Sequence, residues 1–221
     1  GFGIIDDAVV QEASKQEVIR RNLRSLCDFA MGLTDRDSVA RVDALMHKLN
    51  LRNEDRIPVE AARLAAQEAR EASKGKDGGS VVSGAAIQLR DGRIVTGHNS
   101  DELHATSAMV LNAVKLLAGI PGQIHLIAPN IIQSIAHMKR DILKGGFTSL
   151  NLDEALIGLA ISCTTNPAAA IATEKLAELR GCEVHLTHIA PPGDQAGLRR
   201  LGCRFTNDPF FASNALSMAG Q

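Results

Sequence analysis

The stretch Asp91-Gly92-Arg93-Ile94-Val95-Thr96-Gly97-His98-Asn99-Ser100-Asp101-Glu102-Leu103-His104-Ala105-Thr106 decides the fold. Upstream of it, Val81, Ser83, Ala85, Ile87 and Leu89 alternate with Val82, Gly84, Ala86 and Gln88, the period of two that a strand requires. Asp91-Gly92 supplies a hairpin turn, and Ile94 to Gly97 returns as a second strand. Ser100 then reads as a helix cap with Asp101 and Glu102 in the first turn, followed by Leu103, Thr106, Val110, Ala113 and Leu117 on one helical face. A strand running straight into a helix start places polar side chains and free backbone N–H groups at one end of a sheet.

Before the hairpin, residues 8 to 74 read as helix. Ile19, Leu23, Leu26 and Ala30 form one apolar stripe, and Val39, Val42, Leu45 and Leu49 another. Gly32 ends the first helix, Thr34 or Asp35 caps the second, and Pro58 opens a third that reaches about Ser73. The polar, glycine-rich run from Ser73 to Ser80 is a boundary. After the hairpin, strands are expected at Gln123 to Ile127, Glu183 to Ile189 and Cys203 to Thr206. Helices are expected from Pro129, over Leu152 to Ile161, over Pro167 to Leu179 with Asn166 as cap, and over Asp194 to Leu201. The expected architecture is a helical subdomain (1–75), a three-layer α/β subdomain with a mixed sheet (80–211) and a tail (212–221).

Charge narrows the choice of partners. The 24 basic and 25 acidic residues nearly cancel and are evenly spread, so neither a nucleic acid nor a membrane surface is expected as partner. No apolar run approaches the ~20 residues that cross a bilayer, and the start lacks the basic region of a signal peptide, which points to the cytoplasm. Cys27, Cys163, Cys182 and Cys203 contain no Cys-x-x-Cys pair and read as free thiols. The opening Gly1-Phe2-Gly3, without an initiator Met, reads as part of a longer protein.

The hairpin-to-helix segment resembles the start of a cytidine deaminase, which has a strand, a Gly-x-Asn and then a helix carrying His-Ala-Glu. In that family the His binds zinc, the Glu moves protons and a later Pro-Cys-x-x-Cys completes the metal site. His104 and Ala105 match, but Thr106 stands at the Glu position, and Ser162-Cys163-Thr164-Thr165-Asn166 has Ser for Pro and Asn for the last Cys. One thiolate and one imidazole cannot close a zinc site, so no metal and no cofactor is expected.

A second resemblance covers nearly the whole chain. It is carried by Gly1 to Asp7 with Glu12 to Arg21, Thr96-Gly97-x-Asn99-Ser100, Ser107-Ala108, Asn112-Ala113-x-Lys115, Asn166-Pro167 and Gly181 to His185. These residues are similar to the C-terminal half of the bacterial family of domain of unknown function 1846. The resemblance implies an absent N-terminal half as partner, a helical subdomain and a deaminase-like C-terminal subdomain, and no established reaction. The leading function is then a ligand-binding half, taking a small anionic or nucleotide-like ligand where Asn99, Ser100, His104, Cys163 and Asn166 converge, with Lys115 as a further cation on the same helix. The alternative is a non-catalytic scaffold or oligomerisation module, with a second copy as partner.

Other candidates carry less. His185 and His188 are three apart on a strand and face opposite sides, so they do not form a ligand pair. Cys163 lies near a helix start, where a thiolate is favoured, but has no assigned His partner and reads as a structural thiol.

Overall fold

The computed structural model describes residues 7–73 and 82–212. Most of the expected linker after Ser73, the opening Val81 of the first strand and the tail from 213 onward lie outside the described residues.

Four strands build the sheet: β1 (Gly84–Gln88), β2 (Ile94–His98), β3 (Glu183–Leu186) and β4 (Arg204–Asn207), in the order β2-β1-β3-β4. β1 is antiparallel to both neighbours, and β3 runs parallel to β4. The hairpin closes as the sequence predicts. Gly92 has φ 87°, its N–H donates to the Leu89 carbonyl, and Asp91 Oδ1 accepts from the Arg93 N–H.

Because side chains alternate along a strand, one sheet face carries Ala85, Ile87, Val95, Val184 and Leu186, all in the main apolar core. Against it pack α4 (Ala105–Ala118), α6 (Leu152–Ser162), α7 (Pro167–Glu174) and α8 (Pro192–Leu201), with α5 (Pro129–His137) joining through Ile132. The opposite face carries Ala86, His185 and Thr206 and is covered by α1 (Asp7–Ala30) and α3 (Ile57–Ala72), with α2 (Arg36–Lys48) packed on α1. The helices expected as a subdomain are thus one outer layer of a three-layer mixed α/β fold.

Two glycines set the layer spacing. A Cβ on Gly84 would sit 2.2 Å from the Ala62 carbonyl oxygen of α3, and one on Gly97 would sit 2.3 Å from the Met109 nitrogen of α4. Between α3 and the sheet, the fully buried Arg56 donates to Thr206 Oγ1 (2.9 Å), Glu183 Oε2 (2.6 Å) and the carbonyls of Val184 (3.1 Å) and Arg204 (2.9 Å). Arg63 grips Asp208 with two donors, at 2.9 and 2.7 Å.

Several boundaries differ from expectation. Residues 123–127 form no strand. The carbonyls of His125 and Leu126 accept from Asn166 Nδ2 and the Ala128 N–H donates to Ser162 Oγ, so side chains take the backbone groups that a ladder would use. The strand expected at Gln123 to Ile127 is therefore absent. Ser100 does not cap α4. Its Oγ accepts from the N–H groups of Glu102 and Leu103 in a turn, and the helix begins at Ala105 with His104 in the cap position. α5 widens into a π turn over Met138–Ile142, and α7 tightens into a 3-10 turn over Lys175–Leu179.

Candidate functional site

The residues singled out from sequence separate into two groups at opposite ends of α4 and α6. At one end are Asn99, Ser100 and His104. Asn99 follows β2, and its Oδ1 accepts from the Ser83 N–H (2.6 Å), closing the β1–β2 end. Two parallel-running segments then join the starts of α4 and α6. His104 N–H donates to the Leu150 carbonyl (2.9 Å), Leu150 N–H to the Glu102 carbonyl (2.8 Å), and Ser107 Oγ also to Leu150 (3.0 Å).

Cys163, Asn166 and Lys115 lie at the other end. α6 has 11 residues, so its close is about 16 Å from its start. There Asn166 Oδ1 caps α7 through the N–H groups of Ala168 (3.0 Å) and Ala169 (3.4 Å), as its sequence context predicts. The Cys163 thiol donates to the Leu159 carbonyl and lies 3.2 Å from Thr173 Oγ1. Lys115 Nζ donates to the Gly122 carbonyl (2.8 Å), with burial pulling its pKa down. The two helix starts expected to face one cleft do not meet, and Cys163 cannot share a ligand with His104. No group of three metal-ligating side chains occurs among the described residues.

What converges on His104 instead is Asp194, in the first turn of α8. Its fully buried carboxylate meets His104 Nδ1 at 2.9 Å through Oδ2 and accepts from the Leu152 N–H at 2.7 Å through Oδ1. Asp194 thus places a carboxylate at the α6 start beside His104, where a helix N-terminus favours an anion. With Nδ1 engaged by a carboxylate, the Nε2 atom of His104 has no hydrogen-bond partner among the described residues, and the ring keeps about a fifth of its surface exposed.

His188, just beyond the end of β3, completes the cluster. It is 4% exposed, and its Nδ1 makes no hydrogen bond. Burial lowers its pKa to about 4, against the pull of Asp194, so the ring is neutral at pH 7. Thr106 Oγ1, fully buried in the first turn of α4, is likewise unpaired. A buried polar atom without a partner costs about 1–3 kcal/mol, which the rest of the fold offsets.

Asp194 and His188 were not legible as a pair. Asp194 follows Pro191-Pro192-Gly193 and reads as an ordinary first-turn acid, and only the fold brings it to a histidine 90 residues earlier. His185 lies on the other sheet face, its Nδ1 2.9 Å from Thr206 Oγ1 and its Nε2 3.3 Å from Asp208, as the strand alternation predicts.

Comparison with known proteins reaches the whole chain. Residues 54–217 match the family model "Domain of unknown function DUF1846, C-terminal", and residues 1–50 match "Domain of unknown function DUF1846, N-terminal". A "UPF0371 protein" of Clostridium tetani is 41% identical over 216 residues, 98% of this chain and 42% of the relative. Proteins of the same description from Clostridium botulinum (strain Langeland) and Clostridioides difficile (strain 630) match with the same identity and coverage. The chain thus spans less than half the length of these relatives. The expectation of a chain confined to the family's C-terminal half is corrected, because its first 50 residues match the N-terminal model. Among the described residues, no helix is long and apolar enough to cross a membrane.

Proposed function

The chain belongs to the DUF1846 family, whose members have no known function, and within it we propose that the end of the sheet around His104 is a small-molecule site in which His104 exchanges a proton or hydrogen bond with a polar, nucleotide-like ligand. The observation that carries this reading is the 2.9 Å contact between His104 Nδ1 and the buried Asp194, which holds the ring and leaves Nε2 without a partner among the described residues. The place supports it as well. Ligands of α/β sheets gather beyond the carboxyl ends of parallel strands, and His188 follows β3 there. An inorganic anion suits the spot poorly, because Asp194 already faces both helix starts.

The test is a titration of the protein with uridine and with inorganic phosphate, followed through histidine ring and backbone amide resonances. Uridine is expected to shift His104 and residues 99–104, and His104→Ala is expected to abolish those shifts while leaving the far-UV circular dichroism unchanged. Shifts confined to the α7 start, or none at millimolar nucleoside, would remove the proposal.

A scaffold role remains the second reading, and one surface favours it. Ile157 and Ile161, one turn apart on α6, are 60% and 50% exposed, and Ile142, Leu143 and Phe147 are exposed in the segment leading to that helix. Exposed apolar side chains in such number suit a protein contact, and sedimentation of Ile157→Asp against the parent chain tests it.

A further inference from the structure

A concavity opens beside α8, lined by Gln195 and Arg199 of that helix. It is a cleft of about 570 Å³ between α1 and the β4–α8 corner, within the size range of small-molecule sites. Its walls carry Arg20 and Arg24 from α1, Arg199 from α8 and Arg204 from β4, against only Glu17 and Asp28 as acids. Glu183, beside it, is shared among Arg20 (3.2 Å), Arg56 (2.6 Å) and Arg204 (3.6 Å), so one carboxylate serves three guanidinium groups. The region holds more positive charge than its own acids neutralise.

Two of the arginines are uncommitted. Among the described residues, Arg24 makes no ion pair. Arg199 makes none either, and its guanidinium is held in place by Gln195 Oε1 (3.1 Å) and by stacking 5.9 Å over the Phe205 ring. A guanidinium fixed in this way keeps its planar donor fork ready for a phosphate or carboxylate and loses little freedom on binding.

The backbone adds donors. The N–H groups of Arg204 and Asp208 donate to the carbonyls of Cys182 and Leu186 on the β3 side. By the alternation of a parallel ladder, those of Phe205 and Asn207 therefore point to the open edge of β4, where both residues line the cleft. Phe205 and Met31 supply apolar wall, so the cleft can hold an organic portion as well as a charged one.

We propose that this cleft binds a small organic phosphate monoester, with Arg24 and Arg199 gripping the phosphate and Phe205 beside the organic group. The inference does not rest on the His104 reading, and either can fail alone.

The experiment titrates the full chain with phenyl phosphate and with inorganic phosphate, using calorimetry and backbone amide shifts. Phenyl phosphate is expected to bind saturably and more tightly than inorganic phosphate, with shifts at residues 24, 27, 199 and 203–207. Arg24→Ala and Arg199→Ala are each expected to weaken it about tenfold or more. Arg199→Lys is expected to recover only part of the loss, because it restores charge without the fork, and Arg41→Ala, on α2 outside the cleft, is expected to change nothing. No saturation by about 10 mM, parental affinity in both alanine variants, or shifts confined to residues 99–104 would overturn the proposal.

Discussion

Arg56 and Glu183 meet at 2.6 Å across 127 residues of chain, the arginine fully buried and the carboxylate a quarter exposed. That contact joins the outer helical layer to the sheet at the start of α3. The same guanidinium also donates to the carbonyls of Val184 and Arg204, so its removal takes a buried donor from both. Arg56→Met is expected to destabilise the fold by about 3 kcal/mol, the scale for breaking a buried ion pair. A double-mutant cycle with Glu183→Gln, read by urea denaturation, should return a favourable coupling, and strict additivity would contradict this account.

The dependence between layers also decides what a fragment does. Without residues 7–73, Asp208 and Glu183 lose Arg63 and Arg56, and the α3 face of the sheet is uncovered. Residues 82–212 alone are expected to lack a cooperative thermal transition, although local helix content remains. A sharp transition within a few degrees of the intact chain would show that α1 and α3 are dispensable.

Gly97 sits where α4 lies almost in backbone contact with β2. Gly97→Ala would push a methyl against the Met109 and Ala105 main chain, and no rotamer change relieves a clash with backbone. The expected loss is about 3 kcal/mol or more, with Gly84→Ala behaving alike against α3. Gly122→Ala, with open space around its Cβ, is the matched control and is expected to stay near the parent midpoint.

Acid should weaken the protein in two stages. His188 titrates at about 4 in the fold against about 6.5 when unfolded, so the unfolded chain takes up the proton first. The stability held above pH 6.5 is therefore lost as pH falls toward 4, by up to about 3 kcal/mol for a shift of this size. Burial would raise the Asp208 carboxyl, but its contacts with His185 and Arg63 bring it down to about 2, so its share is lost between about pH 4 and 2. Urea midpoints at pH 7.5, 6, 5 and 4 should fall steadily, and His188→Phe should flatten the slope above pH 4.

Local signals carried much of this fold into the sequence. The Asp91-Gly92 turn, the Asn166-Pro167 helix start and the Asp35 cap each depend on a few neighbouring residues, and each forms as those residues dictate. The stretch at 123–127 misleads because a short segment with Ile124, Leu126 and Ile127 is also compatible with an irregular segment pinned by Asn166 and Ser162 from elsewhere. The site shows the same division. His104 was legible from its place after a strand, whereas Asp194 and the arginines of the β4 cleft acquire meaning only from contacts far apart in the chain.

The anchors of α3 impose an order on biosynthesis. Arg56 and Arg63 leave the ribosome more than a hundred residues before Glu183, Thr206 and Asp208. Until those partners emerge, the Arg56 guanidinium destined for the interior lacks Glu183, and only the β1–β2 part of the sheet is there for α3 to cover. The anchoring of α3 through Arg56 must therefore wait for β3 and β4 to be translated. The nascent chain passes through an interval of more than a hundred residues in which α3 lacks its anchors on β3 and β4 and stays open to proteases and chaperones.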